Sequence, residues 1–295
     1  VPPKSFAFSL RQYYLYINFM ENLPIWVSII LLGLIEGITE FLPISSTGHL
    51  LIPQNLGWLP RQSDLFAIVI QSGAVLAVVA VFAERLKHLA STLRERETRD
   101  YLAKLALAFF VTSLGGICIK KLDIELPVSV TPVAWATFIG AFVIFGVEFW
   151  RKGHPGEPDV SWSIAVAVGL AQILAAIFPG TSRSGASILI AMALGAARPT
   201  ATEFSFLLGV PTLMAAGAFQ IFLTVQDGQG GGEDWAMVAL GTVVSAISAF
   251  IVVKWLIHFV QSHSFNGFAW YRLIMGSALL VYIAVQANAE AGVTD

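Results

Sequence analysis

The stretch GLIEGITEFLPISSTGHL, residues 33–50, decides how the whole chain is read. It lies in an apolar region, 25–52, yet it carries Glu36, Glu40, Pro43, Ser45, Ser46, Thr47, Gly48 and His49. The pattern is an apolar helix, a Pro/Gly/Ser break and a second apolar helix. A second stretch, GLAQILAAIFPGTSRSGA from Gly169, has the same plan within region 161–196, with Pro179, Gly180, Thr181, Ser182, Arg183, Ser184 and Gly185 at its break. Aligned without gaps, the two share Gly33/Gly169, Leu34/Leu170, Pro43/Pro179 and Ser46/Ser182, while Glu36 faces Gln172 and Ser45 faces Thr181.

Outward from these two regions the chain is a series of apolar runs. Six are long enough to cross a bilayer, which takes about 20 residues: 65–83, 105–120, 131–150, 204–225, 235–256 and 269–287. The 295 residues are 56% hydrophobic and 12% charged, about half the charged fraction of a soluble domain. The class is therefore membrane protein, and a net charge of −2 favours no nucleic-acid partner. Non-helical backbone at membrane depth is tolerated only inside protein or beside a wet cavity. The two broken regions are thus expected to be re-entrant hairpins. The fold class that follows is an all-α integral membrane protein with six transmembrane helices and two re-entrant broken-helix hairpins.

Three spans separate the two hairpins, and an odd number reverses orientation, so they are expected to head inverted-topology repeats, 24–151 and 160–287. Between a tail at 1–23 and another at 288–295, residues 24–287 form a single polytopic membrane domain. Residues 1–22 lack the apolar core and cleavage site of a secretory signal and carry an aromatic cluster, Tyr13, Tyr14 and Tyr16. Segment 84–104 holds Arg85, Lys87, Arg94, Arg96, Arg99 and Lys104, which places it in the cytoplasm. Arg151, Lys152, Arg198, Lys254 and Arg272 are assigned to the same side, the Lys-free and Arg-free loop 227–234 to the other, and Lys120 and Lys121 sit against the rule. The tips of the two hairpins could then meet. Cys118, the lone cysteine, makes no internal disulfide and is expected to pack within LGGICI.

Glu36 and Glu40 are four residues apart and share one helix face. A carboxylate in an apolar segment is expensive and marks a functional site. Two on one face suit a divalent cation bound through oxygen or acid–base work; the plainer alternative is a helix that ends early and leaves both solvated. Ser45, Ser46 and Thr47 open a helix whose free N–H groups favour an anion. His49, three residues beyond Ser46, could serve as base to a hydroxyl nucleophile, or be structural. In PGTSRSG, residues 179–185, Arg183 offers a fork matched to phosphate oxygens and needs an anionic partner, either the glutamates or a phosphate. Gly180, Thr181, Ser182 and Ser184 surround it. Gln71 is the polar group of an apolar span and either lines the site or bonds across helices. Glu203 carries the same two readings or is interfacial. Glu148, beside Arg151, reads as structural, and His88, His154, His258 and His263 fall in or beside polar loops.

These motifs carry a resemblance. EGITEFLPISSTGH and FPGTSRSGAS resemble the acidic and the PGxSRSG signatures of the undecaprenyl-diphosphate phosphatases, the bacitracin-resistance family, and FAIVIQSGAVLAVV resembles the span after the first motif. The similarity covers about residues 24–287. It implies removal of the terminal phosphate from undecaprenyl diphosphate, which recycles the carrier lipid for peptidoglycan synthesis in the bacterial inner membrane. It also implies a divalent cation, Mg²⁺ or Ca²⁺, on Glu36 and Glu40. By the same resemblance Ser46 and His49 fall on the Ser/His positions and Arg183 on the phosphate-binding arginine. STGH is also similar to the PSGH motif of another lipid phosphatase superfamily, but that superfamily needs a histidine soon after its SR, and here the next is His258.

The expected reaction has a polyprenyl diphosphate entering from the outer side, its tail left in the bilayer, clamped by Arg183 and the N–H groups of Ser182 and Ser184. Ser46 attacks with His49 or Glu40 as helper; attack by water or by His49 itself stays open. The competing class is a transporter that flips a polyprenyl phosphate lipid. An intramembrane serine protease would leave Glu36, Glu40 and Arg183 unexplained. Oligomeric state is open, a homodimer included.

Overall fold

A computed structural model of the chain describes residues 23–122, 129–228 and 232–291; the expected aromatic cluster at Tyr13, Tyr14 and Tyr16 lies outside them. The described residues form eleven helices: α1 Ile25–Thr39, α2 Ser46–Asn55, α3 Asp64–Val81, α4 Ala83–Ser91, α5 Arg96–Lys121, α6 Val130–Trp150, α7 Trp162–Ile177, α8 Arg183–Ala193, α9 Arg198–Gln226, α10 Trp235–Ser262 and α11 Asn266–Ala291. Six of them, α3, α5, α6, α9, α10 and α11, are long and apolar enough to span a membrane. The protein is an all-α, multi-pass membrane protein.

Apolar side chains face outward as well as inward, as lipid solvent permits. Phe110, Phe149, Phe222, Ile251, Ile274 and Val281 are exposed, while Glu36, Gln172, Ser184, Ser187, Ser245 and Arg272 are buried. Where lipid surrounds the helices, exposing apolar side chains costs nothing and burying polar ones among protein groups is the cheaper choice. Cys118 lies on the exposed face of α5, so the expectation that it packs inside is corrected.

Both hairpins form, and both break where expected. At 15 and 16 residues, α1 and α7 reach only about 22–24 Å at 1.5 Å per residue, short of a core of about 30 Å. After each comes a turn of backbone and then a short helix, α2 or α8. Each short helix begins at a serine with positive φ, Ser45 at 74° and Ser182 at 72°, whose hydroxyl accepts from the N–H three residues on, Gly48 or Gly185. These are the two positive-φ residues other than glycine among the described residues. Their equivalence corrects the gapless alignment by one residue. Ser45 pairs with Ser182 and Ser46 with Arg183, with one extra residue after Pro179. Gly180, at φ 98°, takes up the extra length in a conformation open to glycine.

The rest of the packing is consistent with two related repeats. Helix α10 lies against α1 as α5 lies against α7, and α3 meets α9 where the repeats join, as α6 meets α11. The contacts match in detail. A Cβ on Gly33 would stand 2.8 Å from Gly241 O on α10, and one on Gly169 2.8 Å from Ala108 O on α5. Ser248 donates to Gly33 O and Thr112 to Gly169 O. The same offset separates Gly33 from Gly169 and Thr112 from Ser248. Small residues at such seams let backbones approach, which is how membrane helices associate without a hydrophobic drive.

Candidate active site

The two tips touch. Ser184 Oγ on the second donates to Glu40 O at 3.0 Å and Leu42 O at 3.2 Å on the first, and Ser182 Oγ donates to Leu42 O at 3.3 Å. Beside this seam is a polar cavity of about 200 Å³, lined by Glu40, Ser45, Ser46, Thr47, Gln71, Gln172, Gly180, Ser182 and Arg183 with a few apolar neighbours. Since liquid water takes about 30 Å³ per molecule, a phosphoryl group with several waters has room here.

Glu40 is the centre. It caps the end of α1, where its N–H still bonds Glu36 O. Its side chain is 6% exposed. Ser46 Oγ, at the start of α2, donates to Oε2 at 2.5 Å, and Arg183 Nη2, at the start of α8, donates to Oε1 at 2.9 Å. The equivalent first residues of the two short helices thus converge on one carboxylate. Among the described residues Arg183 keeps a buried Nε–H with no partner, while its Nη1 is 3.5 Å from Thr212 Oγ1. Gly209 makes room for this guanidinium: a Cβ there would stand 2.8 Å from Nη1.

Glu36 lies one turn behind, fully buried, within electrostatic reach of Glu40, Ser46 and Arg183. Among the described residues neither of its carboxylate oxygens makes a hydrogen bond of good geometry, although Glu40 and Ser46 lie within side-chain reach, and neither amide atom of Gln172, 3% exposed on α7, has a partner. Buried polar groups are nearly always satisfied, so four orphan atoms beside one cavity signal something that binds there. Among the described residues no three His, Cys, Asp or Glu side chains cluster as a ready-made metal cage. Glu36 and Glu40 nonetheless fit a hard divalent cation, because such an ion keeps waters and shares phosphate oxygens alongside one or two carboxylates.

Two capped helix starts flank the same cavity, at Ser46–Thr47 and at Arg183–Ser184. Leading N–H groups have no partner inside their own helix, and their dipoles favour an anion. A phosphate here would meet Arg183, two helix N-termini and, on the other side, an acidic pair with a hydroxyl poised on it.

Several expected site residues sit elsewhere. His49 is not brought to Ser46. Its Nδ1 bonds Ser45 O at 2.7 Å, its Nε2 pairs with Tyr271 OH at 2.6 Å on α11, and its ring faces an apolar groove with Leu31, Ile35 and Met275. The imidazole is held by Ser45 O and Tyr271 OH, so it lies away from the Ser46–Glu40 contact. Ser184's hydroxyl is spent on backbone carbonyls, and Thr181 opens on a different apolar groove of about 550 Å³ between α6, α7 and α8. Gln71 lines the polar cavity. Glu203 takes Arg85 at 2.8 Å and lies outside the site. Glu148 is structural, but its partner is Arg198 at 2.6 Å, not Arg151. Arg272, counted with the cytoplasmic charges, is 1% exposed and lies within the fold beside both tips. Gln172 had one signal in the sequence, its place opposite Glu36 in the repeat.

The family model "Bacitracin resistance protein BacA" matches residues 29–278. An "Undecaprenyl-diphosphatase" of Rhizobium etli is 49% identical over 256 residues, 86% of this chain and 96% of that protein. One of Xanthomonas axonopodis pv. citri is 46% identical over 263 residues, 89% of this chain and 98% of that protein.

Proposed function

Because the chain belongs to the bacitracin resistance protein BacA family, we propose that the cavity around Glu40 is where it hydrolyses undecaprenyl diphosphate to undecaprenyl phosphate and inorganic phosphate. That reaction recycles the lipid carrier of peptidoglycan synthesis and underlies bacitracin resistance. The observation that carries the site is the convergence of Ser46 and Arg183 on Glu40.

Each residue has a task. Arg183, through its unpartnered Nε–H and the edge not spent on Glu40, binds the terminal phosphoryl group and offsets the charge that develops on it. The N–H groups opening α2 and α8 hold the remaining oxygens. Ser46 Oγ attacks the terminal phosphorus as its proton passes to Glu40 Oε2; the O–P bond to Ser46 forms, and the bridging P–O bond breaks to release undecaprenyl phosphate. Glu40 gives that proton to the departing phosphate oxygen and is a base again. It then takes a proton from water as the water oxygen attacks the phosphoserine phosphorus. The Ser46 O–P bond breaks, and Glu40 returns the proton to Ser46 Oγ as inorganic phosphate leaves. Ser46 is favoured over water as first nucleophile because its hydroxyl already donates to the carboxylate. His49 has no part in the proton transfer, since both of its nitrogens are engaged away from Ser46.

Glu36, with Glu40, would hold a divalent cation, Mg²⁺ or Ca²⁺. When bound, that ion supplies Lewis-acid polarisation of the phosphoryl oxygens. The protein residues do the rest: Gln172 and Gln71 orient oxygens within the cavity, and the close contact of the tips limits bulk water. The site is assigned to the bacterial inner membrane and to its periplasmic side, on the cytoplasmic placement of the basic segment 84–104.

A second reading, passage of a polyprenyl phosphate lipid through the same site, has one observation in its favour. Apolar grooves of about 550 and 690 Å³ flank the tips, one against each hairpin. Phosphate release from undecaprenyl diphosphate by the purified protein, with and without chelator and beside Glu40→Gln and Arg183→Ala, tests both. Metal-dependent release lost in both variants supports the phosphatase site. Translocation of lipid in vesicles with no release of phosphate would replace it with the transporter.

A further inference from the structure

A guanidinium has five N–H donors in one plane. On Arg272 all five are spent, and every one goes to a backbone carbonyl. Nε donates to Thr137 O at 3.2 Å, Nη1 to Pro43 O and Thr181 O at 3.2 Å each, and Nη2 to Ala136 O at 2.8 Å and Gly180 O at 3.0 Å. Among the described residues the side chain is the largest of the fully buried ones and has no carboxylate partner. A buried charge without an opposite charge is costly and persists only where its hydrogen bonds are complete.

The identity of the five carbonyls gives the arrangement its meaning. Pro43 belongs to the first tip, three residues from Glu40 and three from Ser46. Gly180 and Thr181 belong to the second, just ahead of Ser182 and Arg183. Ala136 and Thr137 belong to α6, a spanning helix outside both hairpins. One rigid fork therefore fixes both tips to each other and to a third element. The residues that must meet across the tips, Ser46 and Glu40 on one side and Arg183 on the other, hold their separation through it. No donor is left for substrate, so Arg272 acts on the reaction only through the tips. Gly140 belongs to the same device, because a Cβ there would stand 2.0 Å from Arg272 Nη2.

We propose that Arg272 is the positioning residue that locks the two broken-helix tips in register and so sets the alignment of Ser46, Glu40 and Arg183. The inference rests on the phosphatase reading and names what regulates the geometry of that site. Lysine is not an equivalent here: it keeps the charge but presents three donors from one point, which cannot span five carbonyls on three elements.

The test uses the full chain in detergent, with Arg272→Lys and Gly140→Ala. Alanine favours a helix interior over glycine, so Gly140→Ala displaces the guanidinium without weakening α6. Misplacing reacting groups by about 1 Å costs about 100-fold in rate. Both variants are expected to lose about that in kcat for phosphate release, with KM changed less than about threefold because Arg183 and the cavity remain. The double variant should be no worse than the worse single one, since both act through one contact. Hydrogen exchange should rise together in residues 40–48 and 178–186 and stay unchanged in the spanning helices. If Arg272→Lys does not yield folded protein, Gly140→Ala decides alone. Near-normal kcat with unchanged exchange at both tips in Gly140→Ala would overturn the proposal. If the unaltered protein releases no phosphate, the phosphatase reading falls, while exchange at the tips still decides whether Arg272 holds them.

Discussion

Glu40 accepts a hydroxyl and a guanidinium at once, one on each carboxylate oxygen, and that double duty makes its variants distinguishable from those of its partners. Ser46→Ala removes the proposed nucleophile but leaves the Glu40–Arg183 pair intact. Its kcat for phosphate release is expected to fall by about 10³-fold or more with KM little changed, as for other nucleophile deletions. Turnover near normal would instead assign the attack to water. Gln172→Leu keeps volume but removes two orphan polar atoms. Single polar groups at a reacting centre are worth roughly 10–100-fold, so a fall in kcat/KM of that order is expected from steady-state assays, with the fold intact because no protein hydrogen bond is lost. At this scale the sequence was generous. Carboxylates and an arginine inside apolar helices announce themselves, because lipid makes each one expensive. His49 was not legible: spacing gives a helix face but not the tertiary partner, and the imidazole is drawn to Tyr271, 222 residues away in sequence, by a hydrogen bond and a ring stack.

Each short helix depends on its opening serine in two opposed ways. The hydroxyl caps the helix, and loss of such a cap costs about 1 kcal/mol. Yet the serine holds a left-handed φ, which costs a residue with a Cβ roughly 1 kcal/mol or more. Ser182→Ala keeps the strain and loses the cap, whereas Ser182→Gly loses the cap and relieves the strain. The alanine variant is therefore expected to have the lower thermal midpoint of the two in detergent. Equal midpoints would mean that the backbone strain does not matter at this position. Gly180 has less latitude still. A Cβ at its φ of 98° would stand 2.7 Å from Val133 O, so Gly180→Ala should lower both the midpoint and phosphate release. Breaks of this kind are visible in composition, since Pro, Gly and Ser interrupt each of these two apolar regions at its middle. The one-residue offset between the repeats was not visible, because a gapless alignment of Pro43 with Pro179 also pairs serines, Ser46 with Ser182. Only the shared φ shows that Ser45 is the true counterpart of Ser182.

Across the whole molecule, buried charges act as fasteners between distant segments, and this was the least legible layer. Hydropathy located the six spans to within a few residues at most of their ends, although α5 starts well before its apolar run. Charge counting, in contrast, assigned Arg272 and Arg198 alike to the cytoplasmic side, because a rule based on flanking charge has no access to what a side chain touches. Arg198 in fact closes a three-way joint. Its Nη2 and Nε reach the two oxygens of Glu148 at the end of α6, and the backbone N–H of Phe265, ahead of α11, donates to the same carboxylate at 2.8 Å. The joint ties α6, α9 and α11 on one side of the fold, far in sequence from the tips. Removing one partner of a largely buried pair leaves the other charge uncompensated and costs about 3–5 kcal/mol. Arg198 is 24% exposed, so solvent recovers part of that and a loss of about 2–4 kcal/mol is expected for Glu148→Gln. The thermal midpoint in detergent should drop by several degrees, while kcat/KM of the folded protein below the transition stays near that of the unaltered chain, because no element of the polar cavity touches Glu148. A matching fall in kcat/KM at unchanged midpoint would show instead that this joint communicates with the site through α6, the helix that Arg272 also grips.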